Sequence, residues 1–245
     1  MARRVIVTGS GGISSALIRA LDARGDATFI IGGTDADANE LQKVCKNLNG
    51  FATVDLQDES TTTSAFSEAK KVLGKVTDVV GVVGGSGRKF GDARFDSITL
   101  DAWEKTLSLN LTTAFLTLRE SLRILGSGSI TLTSSVLATH PVSGHFDTHA
   151  YATSKAAIQG MVRVAASSYV KAGIRVNAVA PGLVDTPMAN RAATDPEIQR
   201  FIKEKQPLGS AQLPATSLVP AYLYLIDNEF VTGEILTVDG GWRVS

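Results

Sequence analysis

Tyr151-Ala-Thr-Ser-Lys155 sets a phenol and an ammonium four residues apart, which puts both on one face of a helix. A free tyrosine titrates near pH 10, so it is a poor acid–base group at about neutral pH. A fixed positive charge beside it favours the phenolate and draws that value towards the working range. Ser134-Ser135 lies upstream with hydroxyls able to hold a substrate oxygen, and Asn177-Ala-Val-Ala-Pro181-Gly182 follows. Such a set suits proton transfer to or from an alcohol or carbonyl, and that reaction needs a hydride partner. Tyr-x-x-x-Lys alone arises by chance in many helices, so the whole set carries the reading.

Arg4-Val-Ile-Val-Thr8 reads as a short buried strand, followed by Gly9-Ser-Gly11-Gly12-Ile-Ser14-Ser15 and the helical spacing of Ala16-Leu-Ile-Arg-Ala-Leu21. Glycines let the backbone approach a pyrophosphate, and a helix N-terminus offers unpaired N–H groups and a positive dipole end. The turn predicts a dinucleotide site holding Gly9, Ser10, Gly12 and Ile13. The plainer alternative is a strand–helix turn that uses glycine for geometry alone.

In these residues and in the order of those that follow, the chain resembles the short-chain dehydrogenase/reductase family from Val5 to Gly241, its 3-oxoacyl reductase-like members included. The family's Thr-Gly-x-x-x-Gly-Ile-Gly is met by Thr8-Gly9-Ser10-Gly11-Gly12-Ile13-Ser14, one residue shorter. Serine in the last glycine place should tighten the helix–strand approach. Asp78-Val-Val-Gly-Val-Val-Gly84-Gly85 stands where the family carries Asn-Asn-Ala-Gly, keeping the last glycine but neither asparagine. That loss removes bonds that would brace the central sheet.

The resemblance implies a catalytic set of Asn110, Ser135, Tyr151 and Lys155. Tyr151 would be the acid in reduction and the base in oxidation, and Lys155 would lower its pKa and bond the nicotinamide ribose. Ser135, with Ser134 as the alternative, would hold the substrate oxygen, and Asn110 would position a water in a proton relay. The resemblance also brings Asp55 and Leu56 to the adenine end, Gly84 to the cleft, and Pro181, Gly182, Val184 and Thr186 to the nicotinamide. Gly233-Glu-Ile-Leu-Thr-Val-Asp239-Gly240-Gly241 matches the C-terminal strand signature.

Cofactor choice rests on the end of the second strand. An acid there bonds the ribose 2′-hydroxyl of NAD, and a base accommodates the 2′-phosphate of NADP. Gly33 falls where NAD enzymes carry Asp and Thr34 where NADP enzymes carry Arg. Asp35 and Asp37 would repel a phosphate if they face the pocket, which tips the balance to NAD and leaves NADP open; both could instead simply begin a helix. His140, His145 and His149 share the loop 137–150, but their spacing is irregular and no acidic or cysteine cluster joins them. They read as a wall of the substrate pocket or as solvated groups, with no metal site expected.

Twenty-four basic residues balance 24 acidic ones, so nothing suggests nucleic acid or an anionic membrane as partner. One cysteine, Cys45, excludes an internal disulfide, and no apolar run approaches the roughly 20 residues of a membrane helix. Met1-Ala-Arg-Arg runs into the first strand without a signal-like apolar region, and a cytoplasmic location is expected. Apolar runs at 4–8, 27–32, 51–54, 78–83, 129–133, 174–179 and 235–238 alternate with helical patterns at 13–24, 36–48, 60–73, 99–125, 151–172 and 214–226. The alternation predicts an α/β fold: a Rossmann-type doubly wound parallel sheet of about seven strands, helices on both faces, in one domain over 1–245. A substrate lid is expected over 183–214.

The resulting expectation is an NAD(P)-dependent oxidoreductase for a secondary alcohol or ketone, a 3-oxoacyl or 3-hydroxyacyl substrate among the candidates. A catalytically weak nucleotide-binding or scaffolding homologue is the alternative. Apolar positions on the helices around Trp103 to Leu118 and Ile158 to Val164 exceed what packing on one sheet face requires. With the family's two isologous interfaces they imply a homotetramer, or a dimer as the alternative.

Overall fold

Apolar strands without alternation can be stable only in a sheet covered on both faces. The computed structural model, which describes residues 2–209 and 212–245, contains that sheet. Its strands are β1 (Arg4–Thr8), β2 (Ala27–Ile31), β3 (Leu48–Ala52), β4 (Asp78–Gly81), β5 (Gly128–Thr133), β6 (Ile174–Pro181), the two-residue β7 (Val184–Asp185) and β8 (Leu213–Pro214), and β9 (Ile235–Val238). β7 and β8 pair with each other; the other seven form one parallel sheet in the order β3-β2-β1-β4-β5-β6-β9.

The helices are α1 (Gly12–Ala23), α2 (Asp35–Val44), α3 (Glu59–Leu73), α4 (Leu100–Leu107), α5 (Thr113–Ile124), α6 (His149–Tyr169), α7 (Asn190–Thr194), α8 (Pro196–Lys205) and α9 (Val219–Asp227). Successive residues of β1 serve opposite faces. Ile6 joins Phe29, Val79 and Ile130 under Phe66 of α3, Leu118 of α5 and Ile158 of α6. Val5 and Val7 join Ile30, Val80 and Val179 under Leu17 of α1, Leu41 of α2 and Leu225 of α9. Each such side chain contributes about 1.5–3 kcal/mol against about 0–1 for an exposed ion pair, so these two layers hold the fold.

Several boundaries differ from expectation for local reasons. β3 runs from Leu48 to Ala52 rather than over 51–54, because Thr28 pairs with Leu48 and Gly50 lies flat against the Phe29 ring. Taking Leu48 into the sheet also ends α2 at Val44 instead of near 48. The helix expected over 99–125 is interrupted by a π-turn at Ser108–Thr112. Segment 214–226 opens with a 3-10 turn at Ala215–Leu218 before α9. The lid region holds β7, α7, α8 and β8; Ser210 and Ala211, which the expected lid includes, lie outside the described residues. Among the described residues no helix is long and apolar enough to cross a membrane.

Candidate active site

In a doubly wound sheet, ligands settle at the carboxyl ends of the strands where their order reverses. Here that point lies between β1 and β4. A cleft of about 510 Å³ opens there, lined by Gly9, Ser10, Gly12, Ile13, Gly33, Gly84, Ser135, Tyr151, Lys155, Pro181, Gly182, Val184 and Thr186, all expected from the sequence. Thr34, Asp55, Leu56 and Asn110 lie outside that lining. Leu56 is core, packed over Gly32, and the Asp55 carboxylate accepts from the Gln57 N–H at 2.9 Å.

Gly11 begins α1 with no side-chain cap, which leaves the helix N-terminus open to an anion. A Cβ on Gly12, whose φ is +52°, would come within 3.0 Å of Thr186 Cγ2, so the cradle admits backbone only. The Ser14 hydroxyl donates to the Thr8 carbonyl at 3.0 Å, tying the start of α1 to the end of β1. The shortened loop therefore fits the pyrophosphate of a dinucleotide. Two threonines brace the central strands in place of the absent asparagines. Thr8 Oγ1 accepts from the Val82 and Val83 N–H groups at 2.9 and 3.3 Å, and the Thr133 hydroxyl donates to the Gly81 carbonyl at 2.8 Å.

Asn110 sits in the π-turn between α4 and α5, an irregularity frequent at functional sites. Its amide accepts from Gly85 N–H at 3.0 Å and donates to the Gly85 and Thr106 carbonyls at 2.9 and 3.0 Å. A Cβ on Gly84 would lie 2.8 Å from Asn110 Oδ1 and 3.0 Å from Lys155 Nζ, so only glycine lets these groups converge.

The Ser135 hydroxyl lines the cleft with the Tyr151 phenol and acts to lower its pKa. Ser134 is instead tied into α6, donating to the Lys155 carbonyl at 2.9 Å and accepting from Gln159 Nε2 at 3.0 Å. Lys155 Nζ donates to the Thr133 carbonyl at 2.9 Å and lies 5.6 Å from the centre of the Tyr151 ring. Burial raises the Tyr151 pKa, opposed by the Ser135 hydroxyl, and pushes Lys155 down to about 8. Desolvation thus acts on the phenol against the lowering expected from the lysine.

Asp92 belongs to none of the motifs, lying seven residues beyond Gly85, and was not expected in the site. Its buried carboxylate accepts from the Ala150 and Tyr151 N–H groups, both at 3.0 Å. It caps α6, whose own N-cap Thr148 contributes no side-chain bond, and so fixes the start of the helix that carries Tyr151.

The histidine loop contributes Leu137, Phe146 and Thr148 to the cleft, and none of its histidines. His140 meets Thr139, the His145 ring faces Phe201, and His149 Nδ1 accepts from the Phe95 N–H.

Gly33 cannot serve as the position for an acid. Its φ is +84°, and a Cβ would fall 2.1 Å from Ser10 Oγ, which already accepts from Thr34 N–H at 3.0 Å. Thr34 caps α2 and Asp35 bonds the Thr53 hydroxyl. Asp37 does line the cleft, its Oδ2 3.5 Å from where a Cβ on Gly11 would stand.

A family model described as enoyl-(acyl carrier protein) reductase matches residues 7–243. The chain is 30% identical to cis-4-hydroxycyclohexanecarboxylate dehydrogenase of Sinomonas cyclohexanicum, covering 98% of this chain and 96% of that one. It is 28% identical to levodione reductase of Leifsonia aquatica, over 98% and 93%. The solved NADPH-dependent 3-quinuclidinone reductase of Rhodotorula rubra superposes with a TM-score of 0.86 at 29% identity, covering 100% of this chain and 93% of that one. With the glycine cradle and the Ser135–Tyr151–Lys155 grouping already placed in one cleft, these likenesses make the chain a member of the short-chain dehydrogenase/reductase family, an NAD(P)-dependent enzyme acting on CH–OH groups.

Proposed function

We propose that the protein interconverts a secondary alcohol and its ketone, using NAD in preference to NADP, with Tyr151 as proton donor and acceptor. The observation that carries this is the convergence of Ser135, Tyr151 and Lys155 on one cleft, Lys155 one helical turn on from Tyr151 with its Nζ 5.6 Å from the ring centre. A bound nicotinamide dinucleotide supplies or takes the hydride. In reduction the Tyr151 hydroxyl gives its proton to the carbonyl oxygen that Ser135 holds. In oxidation the same oxygen takes the proton back. Lys155 offers an ammonium to the ribose hydroxyls, and Asn110 holds the Gly84-Gly85 loop in place. Val184 and Thr186 open the 183–214 segment, which acts as the lid over one domain spanning 1–245.

Titration with NADH and NADPH, followed by a panel of cyclic and acyclic ketones, tests the reading. Tight NADH binding with no turnover across the panel would favour the scaffolding alternative. The family likeness includes a protein named for a hydroxycyclohexanecarboxylate, so cyclic ketones lead the panel ahead of 3-oxoacyl thioesters.

Asp37 carries the preference for NAD. A carboxylate at the cleft wall repels a 2′-phosphate, by an amount that solvent screening keeps modest. Asp37→Ser should raise kcat/KM with NADPH relative to NADH by about tenfold, or about 1.4 kcal/mol. An unchanged ratio would remove Asp37 from the specificity determinants.

Assembly as a homotetramer remains the expectation. Leu118, Ile158 and Val162 are spent on the core, but Phe115 of α5 and Val164 of α6 are exposed, as are Phe230 and Val244 near β9. Light scattering at micromolar concentration should give four times 25.7 kDa. A dimer would leave one of the two surfaces unused, and an active monomer would refute both.

A further inference from the structure

The cleft mouth carries two guanidiniums that the proton-transfer chemistry does not use. Arg88 comes from the turn after β4 and Arg191 from α7, and both line the cleft. Each donates to the same acceptor, the His145 carbonyl, at 2.6 Å. Among the described residues neither has a carboxylate within 4.0 Å, and that carbonyl is the one hydrogen-bond acceptor of each. Asp92 and Asp147 act on Arg88 only at longer range, and Asp92 is committed to the N-terminus of α6. Burial and the charge of Arg191 lower the Arg88 pKa. Two guanidiniums sharing one neutral oxygen keep spare donors in the fork geometry that matches a carboxylate. Beside them the wall is hydrocarbon: Leu137, Phe146, Met188 and Trp242.

The geometry points to a substrate that is a hydroxy or oxo carboxylic acid with a compact apolar body, its carboxylate gripped between Arg88 and Arg191. This rests on the proposed alcohol–ketone reaction and names its substrate class. In oxidation the hydride leaves the carbinol carbon for NAD and the hydroxyl proton passes to the Tyr151 phenolate, forming the ketone and the neutral phenol; the carboxylate is unchanged and serves only to orient the substrate. A neutral thioester gains nothing from the pair.

The test uses the full-length protein with saturating NADH. Cyclohexanecarboxylate, an acid that cannot react, is titrated calorimetrically, and turnover is compared between 4-oxocyclohexanecarboxylate and its methyl ester. The Arg88→Gln/Arg191→Gln double variant keeps a donor for the His145 carbonyl while removing both charges. Wild type should bind the acid and prefer the oxo acid over the ester by at least about tenfold, with both advantages reduced about tenfold or more in the variant. Circular dichroism and NADH affinity check that the variant folds. No binding of the acid to wild type, or an acid-to-ester ratio that the variant leaves unchanged, overturns the proposal. So does a loss of NADH affinity equal to the loss of acid binding, which would assign the pair to the cofactor phosphates. Failure of the underlying reaction is distinguishable: the acid would still bind while neither ketone turned over.

Discussion

Tyr151→Phe should leave the fold and NADH affinity intact and lower turnover by about 10²–10⁴-fold, the range that a positioned acid–base group supplies. The substitution removes one oxygen from a half-buried ring. The neighbouring Ser135 hydroxyl is held independently, accepting from Leu137 N–H at 3.2 Å. Little stability is therefore at stake, and the loss should fall on kcat for both directions. Steady-state kinetics beside a fluorescence titration of NADH separate the two quantities. Turnover retained in the Phe variant would mean that the proton comes from elsewhere, and the mechanism proposed for Tyr151 would fall.

Lys155→Met should make the protein more stable near neutral pH while destroying its activity. In the fold the ammonium loses its proton at about 8, against 10.5 for a free lysine. The unfolded chain therefore binds this proton more tightly, and folding is penalised wherever the group is charged. The penalty is complete below about pH 8, shrinks as pH rises from 8 to 10.5, and vanishes above that. That gap corresponds to roughly 3 kcal/mol. Methionine removes it at the cost of about 1 kcal/mol for the orphaned Thr133 carbonyl. The net gain of about 2 kcal/mol should raise Tm by about 4–8 °C at pH 7. Calorimetry at pH 7 and pH 10, at equal protein concentration, gives the sign: the variant's advantage should shrink at the higher pH. A variant less stable than wild type at pH 7 would show that the ammonium is better solvated in the fold than its burial implies.

Much of this was legible in residue order. The runs of β1 and β2 are legible nearly to the residue, because strands buried on both faces are close to continuously apolar and need no partner to identify them. The glycine turn, Ser135 and the Tyr151–Lys155 spacing were equally legible, since local geometry places them relative to their own strand or helix. The line 51–54 misled because periodicity cannot see that Gly50 must pass the Phe29 ring, which draws the strand back to Leu48.

By itself the sequence determined the fold class and the alternation of strands and helices, consequences of hydrophobic pattern and short-range spacing, while the resemblance pointed to most of the segments that reach the cleft. The tertiary structure decided what depends on residues distant in the chain. Asp92 meets the Tyr151 N–H across 59 positions, Thr8 takes over the bracing at Val82 and Val83, and Ser10 fills the space that an acid at Gly33 would need. Only in three dimensions do Arg88 and Arg191 come to share the His145 carbonyl. Desolvation of Tyr151 and Lys155 is likewise a property of everything packed around them, and it sets their pKa values more strongly than the four-residue spacing does.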